Sequence, residues 1–174
     1  MREIQLHSKL YPGLVAQVDD DDYELVSQYR WYPFKGHNTF YAYTHTHRAD
    51  GGPTTIHMHK LVTGYPMTDH QDHDGLNCQR YNMRKATDMQ NNVNRAKWLK
   101  TSSQFKGVCW DKQAGKWMAR IRVNYLETNL GRFISEVEAA LAYDRAAVKH
   151  HGDFACTNAM LGLLPTQSDC VLAV

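Results

Sequence analysis

The residues able to do chemistry concentrate between Thr68 and Arg84, in the string TDHQDHDGLNCQRYNMR. Its 17 positions hold two histidines, three aspartates, two asparagines and a cysteine. Three readings fit this composition. A zinc site would draw on His70, His73, Cys78 and a fourth ligand, but tetrahedral zinc needs a spacing of His and Cys that this string does not show. A hard divalent ion asks for less. One carboxylate such as Asp69 and an asparagine carbonyl from a following helix suffice, because such an ion keeps several waters. His70, next to Asp69, would then take a proton from water while the ion neutralises phosphate charge. An unperturbed imidazole titrates near pH 6.5, close to working pH. The third reading is a polar loop with a purely structural role.

The flanking sequence contains the elements that must position this string. Up to about residue 58 the chain reads as β: Leu14 to Val18, Trp31 to Phe34, Thr39 to His45 and Thr54 to His59 are rich in aromatic and β-branched residues. Turn signals separate them at Tyr11 to Gly13, Lys35 to Asn38 and Ala49 to Pro53. Asp21 to Tyr29 reads as a short helix with an acidic cap. Met58 to Gly64 reads as a second short helix. Ala86 to Trp98 reads as a third, capped by Thr87 or Asp88.

From Ser103 to Asn158 three β-like runs precede a helix. The runs are FKGVCWDK, KWMARIRV and ETNLGRF. The helix opens with a capping box, Ser135 and Glu138, and stops at Gly152. Its spacing predicts an apolar face of Val137, Ala140, Leu141, Ala147 and Val148. Alternation in KWMARIR predicts one sheet face of Lys116, Met118, Arg120 and Arg122 and another of Trp117, Ala119 and Ile121. Trp117 is therefore expected in the core beneath the helix.

Charge separates the halves. The net charge is only +2 over 174 residues. Between Arg95 and Phe133, however, nine bases face two acids, Asp111 and Glu127. Trp98, Trp110, Trp117 and Tyr125 interleave with those bases, a pattern that suits a nucleic-acid surface as well as a solvated charged face. A hydrophobic share of 43% and a charged share of 22% are ordinary for a globular chain. No apolar run is long enough to span a membrane and no secretory signal opens the chain, so a cytoplasmic protein is expected. Cys78, Cys109, Cys156 and Cys170 form no CxxC pair and are expected as free or buried thiols.

Two motifs carry a resemblance. MHKLVTGYP…TDHQDHDGLN…YNMRKATDMQNNVNR resembles the HNH motif of phage and intron-encoded homing endonucleases. FKGVCWDKQAGKWMARIRV…NLGRF…EVEAALAYDRAAVKHHGDFACTN resembles the APETALA2-type DNA-binding domain, most specifically at AALAYDRAA. Together they cover about residues 54 to 158. The N-terminal LVAQVDDDDYELVSQYRWYP resembles the β-rich segment that precedes the HNH motif in phage proteins. The resemblance implies an α+β fold. A β-rich segment leads into a ββα-metal nuclease motif over 57–97, within a domain of 1–98. A three-stranded antiparallel sheet packed on one helix follows over 103–158, then a tail over 159–174.

The roles it implies are these. His70 is the general base, and Asp69 and Asn91 are metal ligands. Asn82 holds the loop that orients His70. Arg84 meets phosphate. His59 matches the upstream histidine of the family, in a catalytic or a core role. Candidate DNA contacts are Arg95, Lys106, Trp110, Lys112, Lys116, Arg120 and Arg122, most of them to phosphates, with Arg120 or Arg122 able to read guanine. The sequence departs from the pattern at Leu76-Asn77-Cys78-Gln79, where many relatives read Leu-Asp-Asn-Arg, and at Thr68, where an aliphatic residue is usual.

The function expected is a DNA endonuclease using Mg²⁺ or Mn²⁺, with no structural zinc. Its substrate would be double-stranded DNA at a preferred site, with a homing or mobile-element role in a phage-infected or bacterial cell. A monomer would nick, and a dimer is the open alternative. The rival is a regulatory or structural DNA-binding protein with an inactive HNH fold.

Overall fold

The computed structural model describes residues 1–95 and 101–164. The chain forms two compact units, divided between Asn91 and Asn92. It is a mixed α+β structure of small antiparallel sheets and few helices. No helix among the described residues is long and apolar enough to cross a membrane.

The N-terminal unit starts with a two-stranded sheet. β1 (Arg2–Gln5) pairs antiparallel with β2 (Val15–Val18), and Ile4, Ala16 and Val18 turn inward. α1 (Asp20–Ser27) follows, with three aspartates in its first turn, where the helix dipole favours negative charge. β3 (Tyr32–Lys35), β4 (Phe40–His47) and β5 (Pro53–His57) form a meander. α2 (Met58–Thr63) starts where β5 ends and stops at Gly64, whose φ of 68° suits glycine. A short hairpin of β6 (Thr68–His70) and β7 (Met83–Lys85) then leads into α3 (Asp88–Val93). Trp31 anchors the core, fully buried among Ile4, Val18, Val26, Met58 and Val62, and its indole N–H donates to the Val26 carbonyl at 2.8 Å.

Some local expectations shift. Asp19 stands at the N-cap of α1 but caps nothing with its side chain. Its carboxylate instead accepts from Gln79 Nε2 at 3.0 Å and from the Arg80 N–H at 2.7 Å. At α3 the capping box is complete: Thr87 Oγ1 accepts from Gln90 N at 3.2 Å, and Gln90 Oε1 accepts from Thr87 N at 2.9 Å. The expected continuation of this helix to Trp98 falls partly on residues 96–100, outside the described residues.

The C-terminal unit is a sheet of β8 (Val108–Asp111), β9 (Lys116–Val123) and β10 (Leu126–Phe133) in the order β10-β9-β8, packed against α4 (Glu136–His151). The α4 face differs from the expected one. Ala139, Ala140, Tyr143, Asp144 and Ala147 are buried, while Val137, Leu141 and Val148 face outward. The cause is a polar residue inside. Asp144 accepts from the Asn158 N–H (2.7 Å), Asn158 Nδ2 (2.8 Å) and the Ala159 N–H (3.0 Å), so a carboxylate occupies a core position that periodicity reserves for apolar residues. Alanines bring the helix close to the sheet. Tyr143 lies so near Gly107 that an added Cβ would stand 1.9 Å from its ring, and Gly107 also holds φ of 76°. The described chain continues past Asn158 to Leu164, which is buried against Phe105.

Candidate active site and nucleic-acid interface

The acidic-histidine string folds as β6, a tight loop and β7. Pairing sets Asp69 opposite Arg84 and His70 opposite Met83. Thr68, Asp69 and His70 are all buried, so this strand is polar yet interior. Arg84 closes on Asp69: Nε and Nη2 approach Oδ2 at 2.8 and 2.7 Å. Arg84, expected to meet phosphate, stands here as a clamp on the expected metal ligand.

Asn82 is 2% exposed and organises the loop. Its Nδ2 donates to Asp72 Oδ1 and to the Asn77 carbonyl, each at 2.9 Å, and its Oδ1 accepts from the Asp72 N–H at 3.0 Å. Asp72 also accepts from Asn77 Nδ2 at 2.7 Å and from the Asp74 N–H at 2.8 Å. The departures at Leu76 to Gln79 are absorbed by packing. Leu76 and Cys78 are buried in the core, Gln79 reaches Asp19, and Arg80 pairs with Asp22 at 2.6 Å. Burial pushes the Cys78 thiol up to about 12, helped by Asp74 and Asp72, so it is a core plug and no nucleophile. Gly75 lets the loop approach β4, since a Cβ there would stand 2.5 Å from the Phe40 carbonyl and the Tyr41 ring.

His70 meets His59, which in turn meets His57. Its ring centroid lies 5.3 Å from that of His59, edge-on, and His59 stacks on His57 at 5.3 Å. Tyr41 touches both His59 and His70 at 5.8 and 5.9 Å. Burial lowers the pKa of His70, against the opposing pull of Asp72, Asp69 and Asp74. His59 is lowered to about 3, by burial first and then by repulsion from His70, His57 and Lys60. Burial also lowers His57. The imidazoles of His59 and His70 are therefore neutral at pH 7, and a neutral imidazole can accept a proton. The Nδ1 atoms of His57 and His59 are buried without a hydrogen-bond partner. His57 and Tyr41 escaped the sequence reading. The HMH spacing was the signal for His57, whereas Tyr41 offered none. Asn91 lies on α3, partly buried, with Nδ2 on Met67 Sδ at 3.8 Å.

In the C-terminal unit the sheet face away from α4 carries Lys116, Met118, Arg120 and Arg122 from β9, with Arg132 from β10 opposite Met118. Arg120 pairs with Glu127 at 3.0 Å and Arg132 with Asp111 at 2.7 Å. Lys112 is exposed in the β8–β9 turn. Two expected DNA contacts lie away from this cationic face. Trp110 pairs in register with Trp117, the rings 5.0 Å apart, so it lies on the helix side of the sheet rather than the cationic side. Trp117 itself packs against the core, as its alternation requires. Lys106 turns inward: its ammonium donates to the carbonyls of Val93 (2.6 Å) and Arg95 (2.7 Å), and burial lowers its pKa. Arg95 is exposed and reaches Asn92 Oδ1 at 3.3 Å. Lys97, Trp98 and Lys100 lie outside the described residues.

No protein-family model matches the chain. It is 30% identical over 154 residues to an uncharacterized HNH endonuclease of Acanthamoeba polyphaga mimivirus, covering 84% of this chain and 75% of that protein. The chain belongs to the HNH endonuclease family. It is also 48% identical over 59 residues to APETALA2-like protein 2 of Oryza sativa subsp. indica, and equally to that of subsp. japonica. That match covers 33% of this chain and only 13% of the rice protein.

HNH nucleases generally use a divalent metal ion, and the donor set here can be tested against one. A buried carboxylate, Asp69, and a carboxamide, Asn91, are hard oxygen donors of the kind Mg²⁺ accepts when water and phosphate complete its shell. Among the described residues no three His, Cys, Asp or Glu side chains are grouped to hold an ion. An ion at Asp69 in this HNH chain would therefore take most of its ligands from water and substrate. Arg84 shares Oδ2 of the same carboxylate.

Proposed function

We propose that the protein is a metal-dependent DNA endonuclease whose N-terminal unit hydrolyses a phosphodiester and whose C-terminal unit binds the duplex. The observation that carries this reading is the buried His70 next to Asp69, at the start of a loop that Asn82 ties together through Asp72 and Asn77. β6, β7 and α3 follow in the order of the ββα-metal motif.

His70 accepts the proton of the attacking water. Burial keeps the imidazole unprotonated, and the nearby aspartates stabilise the imidazolium that results. Asn82 fixes the 71–77 loop through Asp72 and so fixes the start of the hairpin that carries His70. Asp69 and Asn91 would hold the divalent ion, Mg²⁺ or Mn²⁺, which when bound neutralises phosphate charge and stabilises the leaving 3′ oxygen. His59, too weak a base to be charged, backs the His70 ring. Lys116, Arg120 and Arg122 meet phosphates from the open sheet face, Lys112 does so from the β8–β9 turn, and Arg95 adds a further exposed cation. The products would be 5′ phosphate and 3′ hydroxyl ends. A monomer nicks one strand, and a homing or mobile-element role follows the family resemblance.

The Arg84–Asp69 clamp favours one rival, a DNA-binding protein with a silent nuclease site, because a guanidinium already neutralises the carboxylate that a cation needs. Incubation of supercoiled plasmid carrying the gene's flanking DNA with Mg²⁺, Mn²⁺ or chelator separates the two. Open-circle product that disappears with chelator is the outcome expected. Tight, salt-sensitive binding without product under either metal would establish the rival.

A further inference from the structure

β9 and β10 are joined by two residues only, since Val123 pairs with Leu126. Both residues have positive φ, Asn124 at 49° and Tyr125 at 66°. Two-residue hairpins with this pattern are type I′ turns, and their preferred sequence is Asn-Gly. Asn124 suits the first position. At the second, where glycine avoids the clash of a left-handed backbone, the chain carries a bulky tyrosine. Packing does not explain it. Tyr125 is 75% exposed and Leu126 is 73% exposed, and among the described residues the tyrosine ring has no hydrogen bond or aromatic partner. A strained, bulky, solvent-facing residue where glycine would fold better points to a use outside the fold.

The surroundings say what kind of use. Arg122 lies directly behind the tip with Glu127 opposite it, then Arg120, which pairs with Glu127, with Lys116 and the Asp111-paired Arg132 farther along the same open face, so the bases outnumber the acids. A mainly cationic strip that ends in an aromatic tip suits duplex DNA in two ways: phosphates meet the strip, and a base step that the ring parts offers it a base face. We infer that the Asn124–Leu126 tip is an aromatic wedge, with Tyr125 stacking on DNA bases at the end of the footprint of the cationic face. Leu126 supports it as the apolar shoulder. This rests on the DNA-binding reading above. Side chains inserted at base steps unstack them partly and bend the duplex.

The decisive variant is Tyr125→Gly in the full chain, because structure and use predict opposite signs. The melting temperature should hold or rise by a few degrees as the turn strain is released. Affinity for a mixed-sequence duplex, read by fluorescence anisotropy, should fall about tenfold, the scale of one lost stacking contact. The salt slope should stay that of the wild type, since no charge is removed, whereas Arg122→Ala should lower it. Tyr125→Phe should keep wild-type affinity. Equal affinities of Tyr125→Gly and a tightly binding wild type would overturn the wedge while leaving DNA binding intact. A lower melting temperature in Tyr125→Gly would overturn it too, by making the tyrosine structural. A wild type that shows no salt-dependent binding would remove the underlying reading itself.

Discussion

Arg84 and Arg122 both sit on short antiparallel strands, yet they live in opposite surroundings. Arg84 is 18% exposed and is closed on Asp69, which is 4% exposed. Arg122 is exposed on an open sheet face. The contrast extends to their units. Around His70 polar side chains are interior and linked to one another, so a substitution there disturbs fold and chemistry together. On the β9 face the cations stand in water, held at most by exposed ion pairs worth little. A substitution there should change partner binding and spare the fold. Lys106, whose side chain turned inward, shows that charge alone does not assign a residue to the second class.

The comparison is sharpest for Arg84→Met. It leaves the Asp69 carboxylate buried without its clamp, a loss of about 3 kcal/mol in denaturant unfolding for a pair this enclosed. A loss below about 0.5 kcal/mol would put Arg84 in the class of Arg122. Asn82→Ala comes next. It strands the Asp72 N–H and the Asn77 carbonyl, and urea unfolding should show about 2 kcal/mol lost. Cleavage should fall with it, since the loop that Asn82 holds begins next to His70.

The pH dependence of stability divides the units in another way. His59 titrates at about 3 when folded and near 6.5 when unfolded, so the unfolded chain takes up its proton first. The stability held by the neutral ring is complete above pH 6.5 and drains as pH falls toward 3. Unfolding midpoints at pH 7, 5 and 4 should drop more steeply in the wild type than in His59→Phe. Parallel profiles would mean that folding does not depress the His59 pKa. The smallest effect is expected for Arg122→Ala: stability within about 0.5 kcal/mol of wild type, with the salt slope of DNA affinity reduced by about one. A clear stability loss would erase the distinction between the two faces.

The legible parts of the molecule are those where pattern and burial agree. The KWMARIR alternation placed Ala119 and Ile121 inside and Lys116, Arg120 and Arg122 outside, and the structure has them so. Where polar residues are buried, pattern misleads. β6 and β7 read as a polar stretch because the buried Asp69 and Asn82 find their partners 10 to 15 residues along the chain, in Arg84 and Asp72. Asp144 rotated the buried face of α4 by hiding a carboxylate against Asn158. Composition marks Trp110 as a DNA contact, while strand register, which no single segment reveals, sets it beside Trp117. At the site, the adjacent Asp69 and His70 were readable directly. The stacking of His57 and His59 is set at the junction of β5 and α2, and the approach of Tyr41 comes from β4 lying beside them.

The most direct test of the account is cleavage by His70→Ala at matched DNA occupancy. Wild type and variant would be compared at saturating enzyme with Mg²⁺, with binding checked by anisotropy in the same buffer. The account predicts unchanged affinity and a strand-scission rate lower by about 10²–10⁴-fold, the usual contribution of a general base. Equal rates at equal occupancy would contradict the assignment of His70 and with it the chemistry proposed for the N-terminal unit.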